Sequence, residues 1–302
     1  MDFARKTNLA LFALRPLTLQ GWMVQLEALK VICLGVGLIY TAPMELIDTH
    51  CHLDQAAFDA DRPQVLQQCR DRGIRRIVVP AIAAAGWDRL LDLCRGETGL
   101  YPALGLHPVF VNQHCNADLA ALPARLDAER PIAVGEIGLD FHLPELDRDR
   151  QLTLFEAQLE MARDAGLPVL LHVRKAHDQV LAALKRIRVP GGIAHAFNGS
   201  LQQARQYLEL GFRLGFGGTL TYEGSRRIQA LARDLPEAAL VLETDAPDMV
   251  VAGHRGERNS PAYLVDIVAA LARVRQQPVE ELADRTTRNA CEVLNLEQSA
   301  HD

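Results

Sequence analysis

Eight short apolar runs, separated by amphipathic helical stretches, follow one another from Met44 onward. Each run is bounded by glycine, proline or charged residues, as buried parallel strands are. The runs occupy residues 45–50, 75–80, 101–106, 132–137, 168–172, 192–196, 213–217 and 240–245. Eight strand–helix units predict an α/β fold that closes into a (β/α)8 TIM barrel, with the last helices extending to about residue 296. An open doubly wound sheet is the alternative, but no GxGxxG motif follows the first run.

Residues that begin or end helices lie between the apolar runs. Pro63 occupies a tolerated first-turn position, and Ser200 can cap a helix. Gly166 is expected to end the helix that precedes it, and Ser260 with the following proline is expected to begin a long helix near the end of the chain. These signals support helices in the intervals that the barrel requires.

Six side chains that can bind metal ions lie at the ends of the runs. They are His50, His52, Glu136, His172, His195 and Asp245. A barrel of parallel strands brings the carboxyl ends of distant segments to one face, where the chemistry of such folds takes place. His50 and His52 are two residues apart, so both rings are expected to face the barrel axis, whereas Cys51 between them should point away and pack.

Together these side chains indicate bound ions rather than a polar core. Taken singly, His172 or His195 can be a satisfied core residue. Glu136 alone can be a salt-bridge partner, and Asp245 a turn former or helix cap. Burying two acids and four imidazoles together without ions would be costly. Because this set exceeds what one ion needs, we predict two divalent ions bridged by Glu136, with Asp245 as a ligand or as acceptor of the proton of the attacking water.

Bulk composition describes an ordinary globular protein and sets few limits. The apolar fraction is 49% and the formal net charge is −6, which argues against a broad basic surface for nucleic acid. A phosphate-bearing substrate stays possible, because bound cations would reverse the local field. The six cysteines form no CxxC pair, which indicates reduced thiols in a cytoplasmic protein rather than disulfides.

Residues 1–43 differ from the rest of the chain and are predicted to lie outside the barrel. Their apolar run, residues 31–40, is too short to span a bilayer, which needs roughly 20 apolar residues. We expect an upstream extension with no part in catalysis, for which a misassigned start codon would account. Residues 44–302 then form a single barrel domain, and nothing in the sequence indicates a membrane or an obligate protein partner.

Seven ordered motifs between about Met44 and Leu296 carry a family resemblance. They read IDTHCHLD, GLHP, VGEIGLDF, LLHVR, HAFNGS, LGFGGTLTY and ETDAPDM. Together they resemble the TatD-related metal-dependent deoxyribonucleases, a branch of the amidohydrolase-like, metallo-dependent hydrolase barrels. ETDAPDM and GGTLTY are most similar to the YjjV-type branch of that family.

The resemblance implies a ligand set and an activity. One ion would be held by His50, His52, Glu136 and Asp245, and the other by Glu136, His172 and His195. The family activity is hydrolysis of DNA phosphodiester bonds, commonly by exonucleolytic trimming from the 3′ end. Single-stranded DNA or free 3′ ends are therefore the expected substrate, with Asp245 and Glu136 as catalytic residues. The two divalent ions can be Mg, Mn or Zn, since imidazole ligands also suit transition metals.

Two further residues are predicted to meet the substrate. His107 in GLHP ends the third run and can touch a phosphate or a ligated water, with core packing as the alternative. Arg174, two residues beyond His172, can present its guanidinium to phosphate, with a surface salt bridge as the alternative.

The segment after the last run and the remaining histidines give weaker indications. RGERNSP has one residue more before its proline than the family pattern, so no substrate role is assigned to Arg255, Arg258 and Asn259. The other histidines are expected to be solvated: His114, His142, His177, His254 and His301.

Other function classes fit the same ligands. A metal-dependent hydrolase of a small ester, lactone, amide or phosphoester would use the same barrel, and a non-catalytic binding protein is a third class. The negative net charge keeps the small-substrate alternative open, whereas the complete ligand set disfavours the non-catalytic one. Incubation with single-stranded DNA beside a panel of esters and lactones separates these classes.

Overall fold

The computed structural model describes residues 44–297, and the predicted extension at residues 1–43 lies outside this range. Eight strands form one sheet in sequence order, and each pair of neighbours is parallel. The strands are β1 (Leu46–Asp48), β2 (Ile74–Pro80), β3 (Leu100–Leu104), β4 (Ala133–Asp140), β5 (Val169–Arg174), β6 (Gly192–Ala194), β7 (Phe212–Phe216) and β8 (Leu240–Leu242). This arrangement confirms the predicted barrel.

Hydrogen bonds beyond the strand ends join the last strand to the first. The Thr49 N–H donates to the carbonyl of Leu242 over 3.0 Å, and the Asp245 N–H donates to the carbonyl of His50 over 2.8 Å. The buried Asp48 carboxylate accepts from the N–H of Thr244 at 3.0 Å and from its hydroxyl at 2.5 Å. The segment after β1, which carries His50 and His52, is therefore hydrogen-bonded to the segment after β8, which carries Asp245.

Helices alternate with the strands and cover the barrel. They are α1 (Arg62–Asp71), α2 (Trp87–Gly96), α3 (Asn116–Glu129), α4 (Arg148–Ala165), α5 (His177–Arg186), α6 (Leu201–Glu209), α7 (Arg226–Asp234), α8 (Leu264–Arg275) and α9 (Val279–Leu294). Among the residues described, no helix combines the length and apolarity needed to cross a bilayer.

The helix boundaries follow the predicted signals, with one difference. Pro63 lies in the first turn of α1, and Gly166 ends α4 in the left-handed conformation at φ 66°. The Ser200 hydroxyl accepts from the Gln203 N–H over 3.1 Å and completes a capping box at the start of α6. Ser260 caps a short 3-10 turn, and the long helix predicted there begins only at α8.

The apolar core has two layers. Polar groups lie at the barrel mouth, the face at the carboxyl ends of the strands. One layer packs the helices against the outside of the sheet. The other fills the barrel interior with one side chain from most strands, among them Ile47, Val78, Leu170, Ile193 and Val241. Apolar residues of α9 join this inner layer and close the barrel at the amino-terminal ends of the strands. The ends of the strands at the opposite face carry the site.

Candidate metal centre

The structure brings all six predicted ligands together at the carboxyl-terminal face. Glu136 lies within β4 and His172 within β5, whereas His195 directly follows β6. His50 and His52 do not lie on a strand as predicted, because β1 ends at Asp48. The turn after β1 nevertheless brings their Nε2 atoms to 3.4 Å from each other.

Glu136 lies at the centre of the cluster and turns its two oxygens to different imidazoles. Its Oε2 lies 3.0 Å from His50 Nε2 and 3.5 Å from His52 Nε2. Its Oε1 lies 3.1 Å from His172 Nδ1 and 3.6 Å from His195 Nε2. The side chain is 1% exposed. This is the arrangement that a carboxylate needs to bridge two ions.

Asp245 lies three residues beyond the end of β8 and is the most open carboxylate of the cluster. Its Oδ1 is 3.6 Å from the Nε2 atoms of both His50 and His52. Its side chain is 16% exposed, against 1% for Glu136. The backbone is left-handed at φ 58°, a conformation that aspartate tolerates better than most residues. The carboxylate therefore lies beside the imidazoles and still reaches the opening.

His107 lies inside the cluster rather than at its rim. Its Nε2 is 3.1 Å from Glu136 Oε1, the same oxygen that His172 approaches, and the centroids of the two imidazole rings are 4.6 Å apart. The other ring nitrogen of His107 accepts from the Val109 N–H over 3.1 Å. The structure thus places His107 where it can meet an ion, a water or a substrate oxygen; its contact with substrate stays a prediction.

Arg174 is the last residue of β5 and is exposed at the same face. It lies two residues beyond His172, and side chains alternate along a strand, so both point to the same side of the sheet. The structure gives Arg174 no side-chain hydrogen bond or ion pair among residues 44–297. Its guanidinium is thus available to an anion at the mouth.

Two buried carboxylates that the sequence analysis did not single out lie behind the cluster. Asp140 Oδ2 is 3.0 Å from His172 Nε2. Glu243 Oε1 is 3.3 Å from His195 Nδ1. Glu243 precedes Asp245 by two residues, and this spacing on an extended segment is a signal that could have identified it.

Burial and neighbouring imidazoles have opposite effects on the pKa values of Glu136 and Asp245. Burial favours the neutral form of Glu136, but His107, His50 and His195 outweigh it and hold the pKa of Glu136 well below its usual range. Burial raises the pKa of Asp245 to about 6, although His195 and His52 oppose the rise. Of the two carboxylates, Asp245 is therefore the more basic.

The pKa values of four histidines in the cluster shift in opposite directions. Burial lowers the pKa of both His50 and His107, so these rings are neutral. Burial also opposes protonation of His195, but Asp245, Glu243 and Glu136 outweigh it and raise its pKa to about 10. Burial is likewise outweighed at His172, where hydrogen bonds to Asp140 and Glu136 raise the pKa. A bound cation competes with protons for ring nitrogens of this kind.

The donor set fits divalent ions. Three groups of side chains bring their ligand atoms within 4.8 Å of one another: His50, His52 and Glu136; His50, His195 and Asp245; and His107, Glu136 and His172. The buried Oε2 of Glu136 has no aligned hydrogen-bond partner within residues 44–297, although two imidazole nitrogens face it. A free lone pair of this kind, aimed into a set of imidazoles and carboxylates, suits Zn²⁺, Mn²⁺ or a similar ion.

Other predicted positions have structural roles. The Arg258 guanidinium binds both oxygens of Asp61, at 2.8 and 2.7 Å, and lies over the Phe58 ring. The buried Asn259 amide donates to the carbonyls of Thr244 and Asp248. These contacts stabilise the segment after β8. They give Arg258 and Asn259 a structural role that requires no contact with substrate.

The expectation that His114 and His177 are solvated is wrong. His114 is 4% exposed and its Nε2 lies 2.9 Å from the carbonyl of His107. His177 is 8% exposed and contacts the Tyr207 hydroxyl and the Asn198 amide oxygen. The partner of His114 lies only 7 residues away in the same loop. His177 meets Tyr207 at a separation of 30 residues, a contact that local sequence does not reveal. Cys51 is buried as predicted, with its thiol 3.6 Å from the carbonyl of Ala246.

Comparison with known proteins assigns the family. The family model described as TatD related DNase matches residues 47–295. The chain belongs to the TatD-related DNase family. It is 40% identical over 254 residues to the metal-dependent hydrolase YjjV of Escherichia coli, an alignment that covers 83% of this chain and 98% of that protein. This TatD-family chain is therefore a metal-dependent hydrolase.

Structural and further sequence matches agree with this assignment. The crystal structure of Escherichia coli YjjV matches with a TM-score of 0.82 at 38% identity and covers 85% of this chain and all of that one, at 100%. The 3′-5′ ssDNA/RNA exonuclease TatD of Erwinia billingiae is 30% identical over 261 residues, which cover 83% of this chain and 99% of that protein. The described barrel thus has the fold of this family.

Proposed function

We propose that the chain is a two-ion phosphodiesterase that shortens DNA from its 3′ end. The observation that carries the proposal is the central position of Glu136, whose Oε2 faces His50 and His52 while its Oε1 faces His172 and His195. The set around Oε2 and Asp245 would hold one ion, and the set around Oε1 the other. When bound, paired ions lower the pKa of an attacking water and stabilise the charge on the attacking and leaving oxygens.

The chain supplies a proton acceptor at the right place. Asp245 is the carboxylate of the cluster that reaches the opening, with 16% of its side chain exposed. It can therefore accept the proton of an attacking water that enters from the mouth. Glu136 is closed off from solvent and negatively charged, so its role is to bind both ions and not to accept the proton.

The mouth of the barrel offers contacts for a single strand. Phe141 follows β4 and carries the Arg148 guanidinium 4.9 Å from its ring centroid. Tyr222 lies in the loop after β7 and carries the Arg255 guanidinium 5.2 Å from its ring centroid. Aromatic rings can stack with bases, and guanidinium groups bind phosphates. With Arg174, these pairs give the segments at the carboxyl ends of the strands cations and aromatic rings, despite the formal net charge of −6.

The family and one relative's name support this choice of substrate. The family is described by its DNase activity, and the relative from Erwinia billingiae is named an exonuclease of single-stranded DNA and RNA. We further propose that the enzyme works in the cytoplasm, because the cysteines among the described residues are free thiols, as is usual in a reducing compartment.

The test is cleavage of end-labelled DNA by the metal-loaded protein. Single-stranded DNA labelled at its 5′ end should give a ladder that shortens with time, and the same strand labelled at its 3′ end should release labelled mononucleotides at once. Glu136→Gln, which keeps the size of the side chain, should give neither product. Turnover of a small ester or lactone, with intact DNA in every divalent ion tried, would overturn the proposal and favour the small-substrate hydrolase.

A further inference from the structure

Two carboxylates that do not belong to the predicted ligand set lie against the outer nitrogens of two ligand histidines. The imidazole of His172 lies between Asp140 and Glu136, with its Nε2 3.0 Å from Asp140 Oδ2 and its Nδ1 3.1 Å from Glu136 Oε1. Asp140 is 1% exposed. The ring therefore has a carboxylate on each side, and only one of them lies in the centre of the cluster.

His195 has the same arrangement with its ring nitrogens exchanged. Its Nδ1 is 3.3 Å from Glu243 Oε1, and its Nε2 is 3.6 Å from Glu136 Oε1. Glu243 is fully buried, and His195 Nδ1 has no aligned hydrogen-bond partner within the described part of the chain. Glu243 is thus the acceptor within reach of that nitrogen.

Both carboxylates are held from behind by the fold. Asp140 Oδ1 accepts from the His142 N–H over 2.9 Å, and the main chain of Asp140 is paired with the buried Gln151 amide. Glu243 Oε1 also accepts from the Ala196 N–H, next to the histidine it faces. Gly215 leaves the space that Glu243 fills, because a Cβ on Gly215 would lie 2.1 Å from Glu243 Oε2.

We propose that Asp140 and Glu243 are positioning residues that fix the tautomers of His172 and His195. A neutral imidazole has one N–H and one lone pair, and an ionised carboxylate only accepts. The outer carboxylate therefore keeps the N–H on the outer nitrogen, and the lone pair of the inner nitrogen faces the ion. His172 binds through Nδ1 and His195 through Nε2. The inference depends on the ion pair of the proposed function, although not on the substrate.

The sequence spacing agrees with this role. Asp140 lies at the end of β4 and is the register partner of Arg174 on β5, two residues past His172. Glu243 and Asp245 are two residues apart, so one short segment supplies both an acceptor for a ligand histidine and a carboxylate of the cluster. Carboxylates that bind the far nitrogen of a metal-bound histidine raise its basicity and hold its orientation.

Metal affinity and the nitrogen chemical shifts of histidine test the proposal on the full chain. In the zinc-loaded wild type, nitrogen-15 NMR should show His172 with its proton on Nε2 and His195 with its proton on Nδ1. Glu243→Ala and Asp140→Ala should weaken zinc binding by roughly 10–100-fold in a chelator competition. Glu243→Gln and Asp140→Asn keep an oxygen acceptor and the side-chain volume, and should recover part of that loss.

An exposed pair of the same kind provides the control. His254 Nδ1 lies 2.9 Å from Glu257 Oε2, outside the cluster, so Glu257→Gln should leave zinc affinity unchanged. If the alanine variants do not fold, the amide variants carry the test, because they must still bind zinc more weakly than the wild type. Wild-type zinc affinity and tautomers in folded variants would overturn the inference. A wild type that binds zinc in the stated tautomers and leaves DNA intact would overturn only the proposed substrate.

Discussion

Gly215→Ala changes the mouth of the barrel by a single methyl group. A Cβ at this position would lie 2.1 Å from Glu243 Oε2 and 2.5 Å from Glu243 Cδ. Ordinary contacts of a Cβ begin at 3.4 Å, so the carboxylate has to withdraw by about 1.3 Å. Because Glu243 Oε1 is already 3.3 Å from His195 Nδ1, we expect a movement of this size to disrupt the contact between the carboxylate and that ring nitrogen.

The consequences should be larger for the site than for the fold. Loss of an outer hydrogen bond to a ligand histidine lowers metal affinity by roughly 10–100-fold. A misplacement of about 1 Å near the reacting groups can lower the rate by about 100-fold. Overpacking by one methyl group destabilises a domain by about 1–3 kcal/mol. We therefore expect a folded Gly215→Ala protein that binds zinc weakly and hydrolyses its substrate about 100-fold more slowly.

Three measurements on the same preparation check this expectation: thermal unfolding, zinc affinity in a chelator competition, and the hydrolysis rate at saturating metal. The matched control is Gly96→Ala at the last residue of α2, where a Cβ would have no heavy atom within 4 Å. It should match the wild type in all three. A Gly215→Ala protein with wild-type zinc affinity and rate would show that the position of Glu243 does not matter.

Three further changes have defined outcomes. Asp245→Asn should lower the hydrolysis rate by about 10²–10⁴-fold while the unfolding temperature stays near that of the wild type, and an unchanged rate would exclude Asp245 as proton acceptor. Removal of metal with a chelator should lower the unfolding temperature and re-addition should restore it, since ions that bind the native state stabilise it; a constant temperature after proven removal would contradict this. Arg174→Ala should raise the KM for DNA, most clearly at low salt. The control Arg188→Ala removes an exposed charge before β6, at the other end of the barrel, and should leave the KM unchanged. Equal KM values for Arg174→Ala and the wild type would show that Arg174 does not contact the substrate.

The fold could be predicted because every strand of the barrel is a short apolar run, and each strand from β2 to β8 has a helix before and after it along the chain. Each of the eight predicted runs overlaps a strand of the structure. The predicted and observed boundaries differ where a ligand follows a strand. β1 ends at Asp48, and the chain turns there, so the backbone hydrogen bonds of Thr49 and His50 go to β8 and to the segment after it.

Periodicity and family resemblance identified the ligand positions but not what lies behind them. Alternation along a strand predicts which side of the sheet a residue faces, and on this basis Glu136 and His172 were expected at the same site. It does not tell which residue of a neighbouring strand lies opposite. Asp140 meets His172 through the register of β4 with β5, and Glu243 meets His195 across β7, where Gly215 has no side chain.

Local sequence polarity also led to a wrong prediction for two histidines, which were expected to be solvated. His114 and His177 lie in polar stretches of sequence, yet each side chain is buried. His114 meets the carbonyl of His107, and His177 meets Tyr207 of α6. The contact of His177 is long-range and depends on the barrel having formed, whereas that of His114 is made within the loop after β3.

The number of ions bound per chain tests the central claim most directly. Elemental analysis of the wild type and of Glu136→Gln, after equal exposure to zinc and to manganese and removal of free metal, gives this number. Because the two oxygens of Glu136 face different sets of imidazoles, we predict two ions per chain in the wild type and a loss at both positions in the variant. A wild type with no bound ion, or a variant that keeps both, would contradict the bridged centre.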